Sequence, residues 1–412
     1  MTLPNQAQPD KLPVDRTVRG TRIGLILTGG GARAAYQVGV LKGVTELLQR
    51  PSRNPFPILC GTSAGAINAA ALAAYCHDFT ASVDYLLSVW QGFRAHQVYR
   101  TNPAAIIRTG ARWLGSMMLI YRRNPISLLD NSPLATLLAE RIDFARIAKN
   151  IERGSLHAVS VTASGYSSGY SSGYSVSFFQ AARGVLEWRR TQRVGAATNL
   201  NLDHLMASSA LPFIFPARKL RREFFGDGSM RQIAPISPAL HLGADRVLVI
   251  GTGRQTQNDQ GGQRPRSNIY PSMAQIAGHA LNSIFLDTLA QDIEWLRQIN
   301  RVIGHIPEGS PERAELQFRH VEVLVMQPSE AIERIAIRYV QELPKTIRFL
   351  LRAVGAMNRQ GSNLASYLLF ERGFCSALIE LGYKDTLARS DEMLAFLGGG
   401  SASGTAPDPA SS

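Results

Sequence analysis

Cysteine is scarce in this chain. Cys60, Cys76 and Cys375 are the three among 412 residues, and their spacing suits neither a disulfide framework nor a zinc site. Cys60 and Cys76 lie in apolar stretches, where free cysteine behaves as a small hydrophobe, so a reducing, cytoplasmic compartment is the expectation. No run of about 18 apolar residues occurs, which excludes a membrane-spanning helix. The opening MTLPNQAQPDKLPVDRTVRG lacks the apolar core of a secretory signal and reads as a disordered leader over 1–20. Acid is short as well, with 31 Asp plus Glu against 44 Lys plus Arg and a net charge of +13. That excess suits an acidic partner, anionic lipid or nucleic acid, although a merely solvated basic surface fits it equally well. Neither an RNP-type aromatic pattern nor a His/Cys finger spacing is present, so no nucleic-acid partner is expected.

What is present is an ordinary globular core, with 45% apolar residues. RIGLILT (22–28) reads as a short buried strand, followed by Gly29-Gly30-Gly31 and a helical pattern from Ala32 to about Gln49. PFPILC (55–60) reads as a second strand, then GTSAG, then the alanine-rich helix AINAAALAAYC. This alternation within about fifty residues predicts an α/β fold with a largely parallel sheet. Residues 79–93 and 104–123 read as helices. Residues 156–163 and 174–190 read as strands bracketing GYSSGYSSGYS, a surface loop lengthened by duplication. RVLVIG (246–251) is a further strand. A polar linker follows over 253–268, then a mainly helical extension over 269–397 with helices near 271–298 and 330–357 and a strand-like run at 319–326. The tail 398–412 reads as disordered.

The pattern G-x-S-x-G occurs three times, around Ser63, Ser167 and Ser171. A nucleophile elbow is a tight strand-to-helix turn whose small neighbours permit strained backbone angles. Ser63 has a strand before it and a strong helix former after it, flanked by Gly61 and Gly65, whereas Ser167 and Ser171 sit in the GYSS repeat with neither. Gly29-Gly30-Gly31-Ala32-Arg33-Ala34 admits two functional readings. A dinucleotide fingerprint needs an acid at the end of the second strand, and Leu59-Cys60-Gly61 offers none. An oxyanion loop needs several backbone N–H groups aimed at one point, which consecutive glycines allow. A serine nucleophile also needs a base. His241, His279, His305 and His320 are the candidate histidines, none in a glycine-flanked turn. Asp227, between Gly226 and Gly228 after Phe224 and Phe225, reads equally as a hairpin turn and as a catalytic carboxylate.

GGGARAAYQVGVL, GTSAGAINA, ASSALPFIFPA (207–217) and DGSMRQIAP, in that order, resemble the patatin-like phospholipases over roughly 22–251. The resemblance implies a three-layer fold over 21–252, a largely parallel sheet with helices on both faces. It implies hydrolysis of lipid acyl esters through a Ser–Asp dyad with no metal and no cofactor. It places the nucleophile on Ser63, the base on Asp227, the oxyanion donors on Gly30, Gly31 and Ala32, and supporting roles on Gly29, Arg33, Gly61, Gly65 and Gly228. Ser229 departs from the family's usual third motif, so a hydrogen bond from it to the carboxylate, lowering its basicity, is an expectation; burial by Phe224 and Phe225 would raise it. Residues 104–123, with Trp113 and Met117 on an apolar stripe and Arg108, Arg112, Arg122 and Arg123 beside it, fit either an interfacial helix touching an anionic membrane or an ordinary core helix. Two other functions stand beside the hydrolase: a catalytically weak lipid- or granule-binding protein that keeps the fold, and a nucleotide-dependent enzyme using the glycine loop.

Overall fold

The computed structural model describes residues 21–103, 127–166, 173–253, 272–284, 288–307, 319–353, 355–357 and 362–398. The predicted helix 104–123, the GYSS serines Ser167 and Ser171, and most of the 253–268 linker lie outside them.

The described residues form a ten-stranded sheet around which everything else is layered. Strands β1 (Ile23–Leu27), β2 (Ile58–Thr62), β3 (Ala158–Gly165), β9 (Arg246–Ile250) and β10 (Glu322–Met326) make its parallel half, in the order β10-β9-β1-β2-β3. Beyond β3 the order continues through β4 (Ser175–Ala181), β6 (Arg193–Ala197) and β5 (Trp188–Arg190). β7 (Arg218–Leu220) and β8 (Glu223–Asp227) form a hairpin whose second strand runs antiparallel to the end of β3.

Strand alternation divides the core between the two faces. Leu25, Leu27, Leu248 and Ile250 point into one cluster, and Ile26, Val247 and Val249 into another. The first cluster is covered by α1 (Ala35–Leu47), α2 (Ala64–Tyr75) and α3 (Phe79–Gly92). The second is covered by the helix Thr288–Gly304 through Leu289, Ile293 and Leu296. The chain is therefore an α/β, three-layer fold with a largely parallel sheet, as its sequence predicted.

Several boundaries differ from the sequence reading, each for a local reason. β2 begins at Ile58 because Pro55 and Pro57 cannot donate to a ladder. The stretch 174–190 holds two strands rather than one, interrupted at Ala182–Glu187. The helical run 330–357 breaks at Pro344 into Ile332–Tyr339 and Lys345–Ala353, since proline lacks the amide and restricts the residue before it.

The helix Arg372–Leu387 crosses α1 almost backbone to backbone. A Cβ on Gly39 would meet the carbonyl of Ile379, and one on Gly382 the carbonyl of Tyr36. Gly39→Val should therefore destabilise the protein by roughly 3 kcal/mol, the upper end of overpacking costs. Gly92→Ala, with nothing within 4 Å of the new methyl, should be neutral or stabilising by about 0.5 kcal/mol. Urea unfolding of both variants checks the contrast; equal effects would contradict the packing described.

Candidate active site

The carboxyl ends of β1, β2 and β9 converge where the strand order turns from one side of β1 to the other, the place where open α/β sheets hold their ligands. Ser63 follows β2 and caps α2. Its backbone is left-handed, with φ 54° and ψ −129°. A non-glycine residue in such a conformation costs about 1–3 kcal/mol and must be held by its surroundings. The Ser63 N–H donates to Ser208 Oγ at 2.9 Å, and that hydroxyl donates to the Thr162 carbonyl at 2.6 Å, tying the elbow to β3. Gly65 allows the turn to press onto the end of β1, since a Cβ there would collide with the carbonyls of Leu27 and Thr28. Gly61 belongs to the last part of β2.

Ser208 was not singled out from the sequence, although it lies in the ASSALPFIFPA block. Nor was a buried polar chain beneath the elbow. Trp90 Nε1 donates to Asn68 Oδ1 at 2.8 Å, Asn68 Nδ2 to Gln37 Oε1 at 2.9 Å, and Gln37 Nε2 to the Thr28 carbonyl at 2.8 Å. It joins three helices to the end of β1.

Asp227 ends β8, opposite Ala163 of β3, and is 1% exposed. Its N–H donates to the Ala210 carbonyl at 2.9 Å. Oδ1 accepts from the Ser229 N–H at 2.9 Å, while Oδ2 is buried without a hydrogen-bond partner. Burial pushes the carboxyl up to about 6, against the opposing influence of the Ser63 hydroxyl and of the Ser229 amide and hydroxyl. The Ser63 hydroxyl thus favours the ionised form, although Oδ2 makes no hydrogen bond. Ser229 acts on the carboxyl in the expected direction, and desolvation outweighs it. Of the two expected desolvating neighbours, only Phe225 is buried. Phe225 is buried against Phe178, with ring centroids 5.4 Å apart, whereas Phe224 points from the other face of β8 and is 48% exposed. Gly228 opens the short 3-10 turn after Asp227.

The glycine loop leaves β1 beside the elbow. Thr252 Oγ1 donates to the Gly29 carbonyl, and the Arg33 N–H closes a 3-10 turn onto Gly30 O at 3.1 Å. The amides of Gly30, Gly31 and Ala32 precede that first turn bond, where a helical turn leaves donors unsatisfied. Gly31 and Ser63 line one cavity of about 30 Å³, walled by Ile67, Trp90, Phe215 and Phe370 and by Ser209, whose buried hydroxyl has no partner. No histidine is in that lining. His241 instead stacks on Trp188 at 4.7 Å, and His305 Nδ1 bonds the Arg301 carbonyl at 2.7 Å. Among the described residues no group of His, Cys, Asp and Glu could hold a metal ion, and no helix is long and apolar enough to cross a membrane.

The buried Asp227 carboxyl sets a stability prediction. Its pKa is higher folded (about 6) than unfolded (3.8), so the folded state holds the proton more tightly and the carboxyl's destabilising effect grows as pH rises between those values. Asp227→Asn should leave stability little changed near pH 4 and raise it by up to ~3 kcal/mol above pH 6. Urea unfolding at pH 4 and pH 8 measures this; an equal effect at both would contradict the carboxyl's burial.

The sequence profile of the family described as Patatin-like phospholipase matches residues 25–240, just over half of the chain. A curated relative, a cGAMP-activated phospholipase of Pseudomonas aeruginosa (strain BWHPSA011 / Pa011), is 28% identical over 246 residues, covering 55% of this chain and 61% of that one. The chain therefore spans less than two thirds of that relative's length. Among solved structures, human GIVD cytosolic phospholipase A2 aligns at 12% identity and a TM-score of 0.41, covering 94% of this chain and 62% of that one. VipD from Legionella pneumophila aligns at 13% identity and a TM-score of 0.31, covering 91% and 67%. With its profile match running from β1 through the glycine loop, the serine elbow and the Asp227 turn, this chain belongs to the patatin-like phospholipase family.

Proposed function

We propose that the chain is a serine lipid acyl hydrolase, of phospholipase A or lysophospholipase type, acting through Ser63 and Asp227 and an acyl-enzyme. The observation that carries this reading is a buried carboxylate with one free oxygen beside a serine held in a strained elbow, at the edge of an apolar cavity. An aspartate near 3.9 is a poor base for an alcohol; one raised towards neutrality is a better one. Nucleophile–base hydrogen bonds commonly form only when substrate arrives, consistent with a free Asp227 Oδ2.

In the proposed reaction Asp227 takes the Ser63 proton as the oxygen attacks the ester carbonyl. The amides of Gly30, Gly31 and Ala32 stabilise the oxyanion. Asp227 returns the proton to the leaving alcohol or lysolipid, and water then releases the fatty acid by the reverse sequence. The surplus positive charge supports peripheral contact with anionic lipid.

One observation favours the weaker alternative, a lipid-binding protein with little turnover: the hydrogen bond from the Ser229 amide to Asp227 Oδ1 opposes the basicity of the carboxylate. The test is fatty-acid release from phospholipid vesicles and hydrolysis of p-nitrophenyl butyrate by wild type, Ser63→Ala and Asp227→Asn. Because the curated relative is described as cGAMP-activated, each assay is run with and without cGAMP. Wild type should turn over, and each variant should lose at least roughly 10³-fold in kcat. The wild-type kcat/KM should fall about tenfold per pH unit below the Asp227 pKa of about 6. An inert wild type with intact vesicle binding supports the lipid-binding reading; a Ser63→Ala variant as active as wild type ends the dyad.

A further inference from the structure

Arg33 follows the glycine loop directly, and its side chain is 0% exposed. A buried guanidinium is costly unless it is fully paired. Its partners all come from the chain beyond residue 272, outside the family match. Nε donates to Ser366 Oγ at 2.7 Å, Nη1 to Asn282 Oδ1 at 3.5 Å, and Nη2 to both the backbone and side-chain oxygens of Asn363. Nη2 also pairs with Glu333 Oε1 at 3.1 Å, and the guanidinium lies 4.0 Å over the Tyr367 ring.

The same segment touches the loop and the cavity directly. Gly31 has φ +54°, and a Cβ there would collide with the Tyr367 carbonyl. Tyr99 Oη donates to the Leu368 carbonyl at 2.7 Å, fixing the next residue. Tyr367 and Phe370 line the cavity beside Ser63, with the Phe370 ring 5.8 Å from Phe93 and 6.3 Å from Trp90. At about 30 Å³ that cavity has room for about two waters, so an acyl chain enters only where these rings give way.

We propose that Asn363–Phe370, contributed from beyond the family match, is a working part of the active site: Arg33 is a positioning residue that fixes the oxyanion loop against it, and Phe370 limits the acyl chain accepted. This rests on the hydrolase reading above. A purely scaffolding role for Arg33 would change stability and leave turnover per active site alone. A positioning role changes kcat, because the donors of Ala32 and Gly31 lie one and two residues away, and misplacement of about 1 Å costs on the order of 100-fold.

The test uses the full chain with p-nitrophenyl butyrate and p-nitrophenyl decanoate, active sites being counted with a covalent phosphonate probe. Glu333→Gln and Ser366→Ala should lower kcat on butyrate by roughly 10- to 100-fold, with KM within about twofold and the acid limb of the pH profile unmoved. Arg33→Lys keeps the charge but not the fork and should recover part of what Arg33→Met loses. Phe370→Ala should raise the decanoate-to-butyrate ratio of kcat/KM about tenfold, the scale of a methylene-sized gain in a pocket. Unchanged kcat per active site in both Glu333→Gln and Ser366→Ala, with a lowered Tm, makes Arg33 a scaffold residue and overturns the positioning role. An unchanged chain-length ratio in Phe370→Ala overturns the other half. A wild type inert on both esters removes the hydrolase reading itself, and the proposal with it.

Discussion

A serine held at φ 54° between a buried strand and a buried helix is the constraint on which this structure turns. Strain of about 1–3 kcal/mol persists only where the surroundings over-determine it, and here they do so from three sides. β1 receives Gly65, β3 is reached through Ser208, and the chain Trp90–Asn68–Gln37 locks the helices to the end of β1. The alanine-rich α2 serves the same end: small side chains bring the helix axis close to the sheet, and Ala64, Ala66, Ala69, Ala70 and Ala73 are all buried.

The second constraint is the burial of Asp227. Three hydrogen-bonding influences favour its ionised form, and desolvation still prevails, leaving the carboxyl near 6. A surface hairpin carrying the same Asp-Gly turn would have no such property. The difference comes from β8 lying against β3 with Phe225 and Asp227 on its inner face, while Phe224 looks outward. A buried carboxyl of this kind costs stability, as carboxylates in apolar surroundings generally do.

Much of this was legible in the sequence. β1, β2 and β9 are short, wholly buried runs, and such runs between glycine-rich turns announce themselves. Ser63 stood out from Ser167 and Ser171 because a strand and a helix flank it. In the sequence Asp227 reads equally as turn and as catalytic carboxylate, and only the family resemblance favours the second, since an Asp-Gly pair looks the same whether its carboxylate is wet or dry. Phe224 departs from its expected place beside the carboxyl because adjacent strand residues face opposite ways, and the sequence does not say which face is inner. Arg33's partners were out of reach for another reason: Ser366 lies 333 residues away, and no local pattern links the two. Ser208 sat in a motif block, but its role depends on two hydrogen bonds to segments 145 and 46 residues distant.

The central claim is that Ser63 carries the acyl group. Rapid acid quench of the protein turning over p-nitrophenyl butyrate, followed by intact-mass and peptide mass spectrometry, measures this directly. The account predicts one butyryl adduct, on the peptide containing Ser63, absent from Ser63→Ala. Ester turnover with the adduct on another residue, such as Ser167 or Ser171 of the GYSS repeat, or with no covalent adduct under any quench, would contradict it.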